Sequence, residues 1–106
     1  MHKYMRVLVF FDLPVQTPAE RKKATQFRNF LLNDGYYMLQ FSVYARLCNG
    51  VDAANDVFNR LTKSAPQNGS VRCMIVTEKQ YSQMKIISGP KKKPEKPVEF
   101  YQMSFL

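Results

Sequence analysis

The feature of this sequence that most constrains its fold is an apolar run near the start, where residues 7–11 (VLVFF) are all hydrophobic. Successive side chains of a β-strand point to opposite faces of the sheet. The odd-numbered residues of the run therefore share one face and the even-numbered residues share the other. This pattern predicts a central strand over residues 4–13 that is buried on both faces. The fold must therefore cover both sides of one sheet.

An amphipathic helix is expected after this strand. Pro14 ends the strand, and Thr17 and Glu20 have the spacing of a capping box around Pro18, which suits the first helical position. Apolar side chains then recur at helical spacing up to Gly35, which favours a helix end. We expect this helix to pack an apolar stripe on the sheet and to expose a polar, basic face.

Further strands and a second helix are expected downstream. Residues 36–41 and 42–47 are β-prone and indicate an antiparallel hairpin. Residues 70–77 alternate as another buried strand, and residues 84–88 form a shorter strand. A helical pattern begins at residue 51 and stops at Pro66. Its apolar stripe consists of Val51, Ala54, Phe58, Leu61 and Ala65.

This order of elements predicts an α+β fold of the ferredoxin-like, split βαβ type. Two helices would cover one face of an antiparallel sheet in the order β-α-β-β-α-β, with an extra strand and a C-terminal β-tail. Because the helices hide only one face, the opposite apolar face of the first strand needs a separate cover. A twofold homodimer that closes over this face is the expected solution.

The chain has 106 residues, which is enough for one hydrophobic core, and we expect one domain over residues 1–88. Residues 89–97 hold three prolines and four lysines and are expected to be a linker. Residues 98–106 alternate again and are expected to form a strand that adds to an exposed sheet edge of a partner. The partner-binding side chains expected in this tail are Val98, Phe100, Tyr101, Met103 and Phe105.

The charge of the chain points to a polyanionic partner. Sixteen Lys and Arg residues stand against eight Asp and Glu residues, which gives a net charge of +8 and favours nucleic acid through counterion release. The expected contacts to the phosphate backbone are Arg21, Lys22 and Lys23 at the start of the first helix and Lys91, Lys92 and Lys93 in the linker. Base stacking by Tyr36, Tyr37 and Tyr44 is an alternative to their burial in the core or an interface.

A cytoplasmic protein without a membrane partner is expected. The longest uninterrupted apolar run has five residues, whereas a bilayer span needs roughly 20 residues. The N-terminus also lacks the pattern of a signal peptide. Cys48 and Cys73 can form one disulfide or remain reduced thiols in or beside the core.

The residue inventory excludes several catalytic classes. His2 is the only histidine, so no Ser-His-Asp triad, Cys-His pair or His-rich zinc site can form. The four glycines do not form a phosphate-binding loop. The chemistry that remains is a carboxylate with a hard metal ion.

Asp12 is the candidate for this chemistry, because it lies where the buried first strand meets its turn. Magnesium is usually held by one or two carboxylates together with waters and phosphate oxygens. A twofold axis near the first strands would bring two copies of Asp12 together to hold Mg²⁺, or alternatively Mn²⁺, and to hydrolyse a phosphodiester. The other interpretation is that Asp12 is a turn-forming residue before Pro14.

Several segments together resemble a known family. These are residues 9–14 (VFFDLP), 27–32 (FRNFLL), 35–47 (GYYMLQFSVYARL) and 69–72 (GSVR), which are similar to the CRISPR-associated Cas2 family of small adaptation proteins. The resemblance covers residues 4 to 88. Residues 76–81 (VTEKQY) are most similar to the type II form that accompanies a single-protein RNA-guided nuclease.

The resemblance implies a ferredoxin-like homodimer that bridges the spacer integrase on prespacer DNA during defence against phages and plasmids. It also implies a metal-dependent endonuclease acting on single-stranded RNA or double-stranded DNA. The magnesium-binding aspartate of the family corresponds to Asp12. Its basic residues for DNA correspond loosely to Arg21 and Lys22, and its integrase-binding tail corresponds to residues 98–106.

Two other functions remain open at the level of sequence. The dimer can be a non-catalytic DNA-binding scaffold of the integration complex, in which case Asp12 carries no chemistry. The chain can instead be a small RNA-binding regulator, which would bind RNA but no integrase.

Overall fold

The structure is a computed structural model and describes residues 3–90. The chain alternates strands and helices, and its fold is the α+β arrangement predicted from the sequence. Its elements are β1 (Met5–Asp12), α1 (Pro18–Asn33), β2 (Tyr37–Gln40), β3 (Val43–Cys48), α2 (Val51–Ser64), β4 (Ser70–Thr77) and α3 (Glu78–Ser82). The expected linker lysines and the tail, residues 91–106, lie outside the described residues.

Within this range the four strands form one antiparallel sheet in the order β2-β3-β1-β4. This is the strand order of a ferredoxin-like fold, in which β1 is central. β1 is paired with β4 along its whole length, from Met5 opposite Thr77 to Asp12 opposite Ser70. It is paired with β3 from Met5 to Phe10. Two neighbouring strands therefore fix the position of β1.

The main core lies between the sheet and the helices α1 and α2. β1 contributes Val7, Val9 and Phe11, each of which is at most 6% exposed. The ring of Phe11 packs edge to face on Phe27 of α1, with the ring centroids 5.2 Å apart. The remaining members of this core are Leu31, Tyr36, Tyr44, Cys48, Ala54, Val57 and Leu61.

The capping box predicted for α1 is confirmed. The Glu20 amide donates to Thr17 Oγ1 at 3.1 Å, and Glu20 Oε1 accepts from the Thr17 amide at 3.0 Å. The buried stripe of α2 differs slightly from the expected one. Val57 is buried, whereas Val51 and Phe58 are exposed, because the helix turns Val57 rather than these two side chains toward the sheet.

The opposite face of the sheet is covered in part by the chain itself. Tyr81 of α3 is 3% exposed and packs with Leu8, Leu39 and Ala45. Part of the cover expected from a second copy is therefore supplied by α3 of the same chain. Phe10 remains 36% exposed on the same face, so part of it stays open, and the homodimer remains a prediction.

A buried ion pair fixes α3 to the sheet. Arg6 of β1 is 2% exposed, and its Nε and Nη2 donate to the two carboxylate oxygens of Glu78 at 2.6 and 2.9 Å. Arg6 Nη1 also donates to the hydroxyl of Tyr37, which lies 3.0 Å from the hydroxyl of Tyr81. The guanidinium lies 4.4 Å from the ring centroid of Tyr81. Such a bidentate, hydrogen-bonded pair satisfies a charge in a site from which water is excluded.

Two predictions about the last part of the domain are wrong. Residues 84–88 do not form a strand, because a capping box of Thr77 and Gln80 starts α3 immediately after β4 and turns the chain away from the sheet edge. β4 is also not fully buried. It lies at an edge of the sheet, where Arg72 and Met74 are exposed and Cys73 is half-buried.

The two cysteines are free thiols, with β1 lying between their strands. Burial raises the pKa of both thiols, which favours their neutral form. Within residues 3–90, no helix is long and apolar enough to span a membrane.

The Arg6–Glu78 pair generates a first stability prediction. Replacing Glu78 with Gln leaves the buried guanidinium without its counter-charge, and we expect the free energy of unfolding to fall by about 3 kcal/mol. Urea unfolding at a fixed protein concentration measures this change. The control is Asp56→Asn, which neutralises an exposed carboxylate on α2 and should change stability by about 0.5 kcal/mol or less. Equal losses in the two variants would refute a role for this pair in stability.

Tyr36 generates a second prediction. Its hydroxyl is buried and has no hydrogen-bond partner in the described part of the chain, so Tyr36→Phe should raise the free energy of unfolding by about 1 kcal/mol. Burial also raises the pKa of Tyr36 above its ordinary value of 10.0. Above pH 10 the unfolded chain releases this proton while the folded chain keeps it, so stability falls as pH rises. Unfolding curves at pH 7 and pH 10.5 should show a smaller alkaline loss in Tyr36→Phe than in the wild type.

Candidate active site

Three elements of the sheet meet at one corner. β1 ends at Asp12, β4 begins at Ser70, and the turn between β2 and β3 contains Ser42. Antiparallel neighbours place the end of one strand beside the start of the next. The fold therefore brings a carboxylate and two hydroxyl-bearing residues from three parts of the sequence to one place.

These residues line an open recess of about 280 Å³. Phe10, Phe11 and Val43 supply its apolar part, and Asp12 is exposed at its edge. An apolar lining with a few polar groups is typical of sites that orient a ligand. The complete lining is Phe10, Phe11, Asp12, Ser42, Val43, Ser70 and Arg72.

The backbone around Asp12 is held from two sides. The amide of Phe11 donates to the carbonyl of Ser42 at 3.0 Å, and Ser42 itself has a φ of 67°. Such a left-handed conformation is uncommon for a residue other than glycine and stores strain, which clusters at functional sites. On the other side, Gly69 has a φ of 95° and lies against the Asp12 backbone. A Cβ atom on Gly69 would lie 2.7 Å from the carbonyl oxygen of Asp12.

The cation that lines this recess is Arg72 of β4, which the sequence pattern did not single out. Arg72 is paired with Phe10 in the register of the sheet, so it lies on the same face as Asp12. The alternation of residues 70–77 indicates only that Arg72 lies on the other face of the strand from Val71 and Cys73. Only the pairing register of β4 with β1, which a single sequence does not contain, places it beside Asp12.

The basic residues expected at the start of α1 do not line the recess. The guanidinium of Arg21 donates to the carbonyl oxygens of Val15 and Gln16 at 3.2 and 3.1 Å, so it supports the loop after β1. Lys22 is exposed, and Lys23 borders a separate depression between α1 and the end of α2. A role for these three residues in nucleic-acid binding stays a prediction.

Base stacking by two of the three tyrosines is excluded by their burial. Tyr36 and Tyr44 are each 4% exposed and belong to the main core. Tyr37 is half-buried and bonded to Arg6 and Tyr81. The aromatic residues of β2 and β3 are therefore structural.

The donor set of the recess fits a hard divalent cation only in part. Carboxylate and hydroxyl oxygens are the ligands that Mg²⁺ prefers, and the recess offers one carboxylate. Within residues 3–90, no group of three or more His, Cys, Asp or Glu side chains is placed to hold a metal. A second Asp12 from another copy, or phosphate oxygens of a substrate, would be needed to complete the coordination.

Comparison with known proteins identifies the family. The family model described as CRISPR associated protein Cas2 matches residues 5–84. The chain belongs to the Cas2 family. The match spans β1 to α3 and includes every residue of the recess.

Curated relatives and a solved structure agree with this assignment. A protein from Acidovorax ebreus named CRISPR-associated endoribonuclease Cas2 is 53% identical over 100 residues, which cover 94% of this chain and 98% of the relative. A Campylobacter jejuni protein of the same name is 46% identical over 87 residues, and the alignment spans 82% of this chain and 61% of that protein. The crystal structure of Streptococcus pyogenes Cas2 at pH 6.5 has the same fold, with a TM-score of 0.56 and 24% identity, and the match covers 78% of this chain and 99% of that one.

The contact between Gly69 and Asp12 generates a third prediction. In Gly69→Ala the positive φ becomes strained and the new Cβ atom clashes with the Asp12 carbonyl, so we expect the free energy of unfolding to fall by about 2 kcal/mol. Gly89 is a matched control, since its φ is 100° but a Cβ atom added there would have no neighbouring atom within 4 Å. Gly89→Ala should therefore cost less than about 1 kcal/mol. Urea unfolding of both variants separates the clash from the φ strain, and equal losses would contradict the proposed contact.

Proposed function

We propose that this Cas2 family member is a metal-dependent endonuclease that hydrolyses phosphodiester bonds at the Asp12 recess. The observation that carries the proposal is the position of Asp12, which is exposed at the rim of a recess that also holds an arginine and two serines. The names of the relatives, CRISPR-associated endoribonuclease Cas2, support RNA as one substrate, and single-stranded RNA is the form to test. Double-stranded DNA is the second substrate to test.

In this proposal hydrolysis adds the oxygen of a water molecule to phosphorus and breaks the bond from phosphorus to one ester oxygen. One proton of the water ends on that departing oxygen. The Asp12 carboxylates of two protomers would hold Mg²⁺ or Mn²⁺. When bound, such a cation supplies Lewis-acid activation of the phosphoryl group and the attacking water.

Backbone contacts of the protein hold this carboxylate in place. The hydrogen bond from the Phe11 amide to the Ser42 carbonyl fixes the end of β1. The pairing of Asp12 with Ser70 fixes the position of Asp12 along the neighbouring strand. Holding a reacting group in one position removes part of the entropic cost of the reaction. The homodimer is part of this proposal, because one chain supplies only one carboxylate to the recess.

A second candidate function is a DNA-binding scaffold that bridges the spacer integrase on prespacer DNA. Two observations favour it, namely the net charge of +8 and the incomplete metal coordination offered by residues 3–90 of a single chain. In this case the basic dimer would bind the DNA backbone, and Asp12 would have no catalytic role.

Substitution of Asp12 distinguishes the two functions and is the fourth prediction. With Mg²⁺ present, we expect Asp12→Asn to lower the rate of RNA or DNA cleavage at least about 100-fold, because loss of a metal ligand removes several kcal/mol of transition-state stabilisation. The substrates are labelled single-stranded RNA and double-stranded DNA, each with Mg²⁺ or with EDTA. Asp56→Asn is the control and should cleave at the wild-type rate.

The oligomeric state of each variant is measured first by light scattering, so that loss of a dimer is not mistaken for loss of chemistry. Equal cleavage by wild type and Asp12→Asn would overturn the assignment of Asp12. If neither protein cleaves while both bind DNA and form the complex with the integrase, the scaffold function is favoured instead.

A further inference from the structure

The recess is lined by an arginine, Arg72, that has no role in the reaction proposed above. Arg72 extends from β4 into the lining that includes Asp12, Ser42 and Ser70. Its strand partner is Phe10, two residues before Asp12 on the same face of the sheet. In a sheet such diagonal neighbours are about 7–8 Å apart at Cα, a distance that one phosphate group and the long arginine side chain can span.

Four of the other five arginines are bonded to groups within residues 3–90. Arg6 pairs with Glu78, and Arg46 and Arg60 both pair with Asp34. Arg21 donates to two backbone carbonyls. Arg72 and Arg28 of α1 form no ion pair with a carboxylate among residues 3–90. Of these two, only Arg72 lines the recess, and it is exposed, so its planar guanidinium can donate to a ligand there.

Arg72 and Asp12 line one recess without forming an ion pair with each other. A carboxylate alone would repel a phosphodiester, which carries a negative charge. A guanidinium at the same site offsets that repulsion and donates in a fork that matches two phosphate oxygens. Phe10 and Val43 supply apolar lining beside this contact.

We propose that Arg72 is a catalytic residue that binds the non-bridging oxygens of the phosphodiester that is cleaved at the Asp12 recess. The assignment rests on the proposed endonuclease function for its effect on rate, but its contact with the phosphate does not depend on cleavage. Negative charge grows on these oxygens as the water oxygen bonds to phosphorus. Arg72 therefore stabilises the transition state more than the bound substrate.

The first experiment, which is the fifth prediction, measures binding without metal. Wild type, Arg72→Gln and Lys63→Gln are titrated with single-stranded RNA and double-stranded DNA oligonucleotides in EDTA over a series of salt concentrations. Lys63 is an exposed cation on α2 in the helical layer, so its substitution removes the same charge away from the recess. We expect Arg72→Gln to weaken binding about tenfold and to lower the slope of log K against log salt by about 0.7–0.9, the value of one lost phosphate contact.

The second experiment measures single-turnover cleavage with Mg²⁺ for the same proteins and for Arg72→Lys. We expect Arg72→Gln to lower the rate at saturating protein by about 10²–10³-fold, and Arg72→Lys to recover part of it, because lysine keeps the charge but not the fork. Lys63→Gln should cleave like the wild type. Circular dichroism and light scattering check that every variant keeps its fold and oligomeric state.

The two experiments separate failure of this inference from failure of the proposed function. Cleavage by the wild type together with an Arg72→Gln variant that matches Lys63→Gln in both slope and rate would overturn the role of Arg72 and leave the endonuclease intact. If the wild type cleaves nothing but Arg72→Gln still lowers the salt slope of binding in EDTA by the value of one phosphate contact, the contact is supported and the endonuclease is not. An unchanged slope in Arg72→Gln overturns the inference whether or not the wild type cleaves.

Discussion

The pairing of β1 with a strand on each side is the interaction on which the rest of the structure depends. β3 and β4 form antiparallel ladders with β1, and its two faces contribute to both hydrophobic clusters. The strand therefore has little freedom to slide, because a slip by one residue would exchange its two faces. Asp12 is the last residue of this strand, and its position follows from the packing of the residues before it. The candidate site is thus held by the most constrained element of the fold.

The second face of the sheet shows how one buried charge can organise an otherwise apolar surface. Arg6 lies in the same strand as Leu8 and Phe10 and faces the side away from α1 and α2. Its bidentate bond to Glu78 and its contact with the Tyr81 ring hold α3 over this side. α3 then shields Leu8 and Ala45 but leaves Phe10, closer to Asp12, more exposed. The face is covered at the Arg6 end of β1 and more open at the Asp12 end, where Phe10 is 36% exposed.

Local patterns in the sequence were sufficient for most elements, whereas the contacts between elements were not. The start of α1 follows from Thr17, Pro18 and Glu20, which act within one helical turn, and the central position of β1 follows from its continuous apolar run. The start of α3 has a local signal as well, since Thr77 and Gln80 have the spacing of a capping box, whereas the β-prone composition of residues 84–88 predicts a strand that the structure does not contain. Arg6 and Arg72 depend on partners more than 60 positions away along the chain. Their roles follow from pairing register and from α3 docking, and neither is encoded in a local pattern.

The residues that line the recess link metal binding to nucleic-acid binding and to dimer formation. One chain offers Asp12 and Arg72, one negative and one positive group, together with two hydroxyl-bearing residues. The positive group favours binding of a phosphate, while a single carboxylate is a weak site for Mg²⁺ unless further oxygen ligands are added. A bound phosphodiester supplies such oxygens, and so does a second Asp12 across a twofold axis. Binding of nucleic acid and formation of the dimer would therefore each strengthen metal binding, and the metal would in turn favour both, since coupling between binding events is reciprocal. Under the proposed endonuclease function, hydrolysis would therefore require the dimer, the substrate and the metal together.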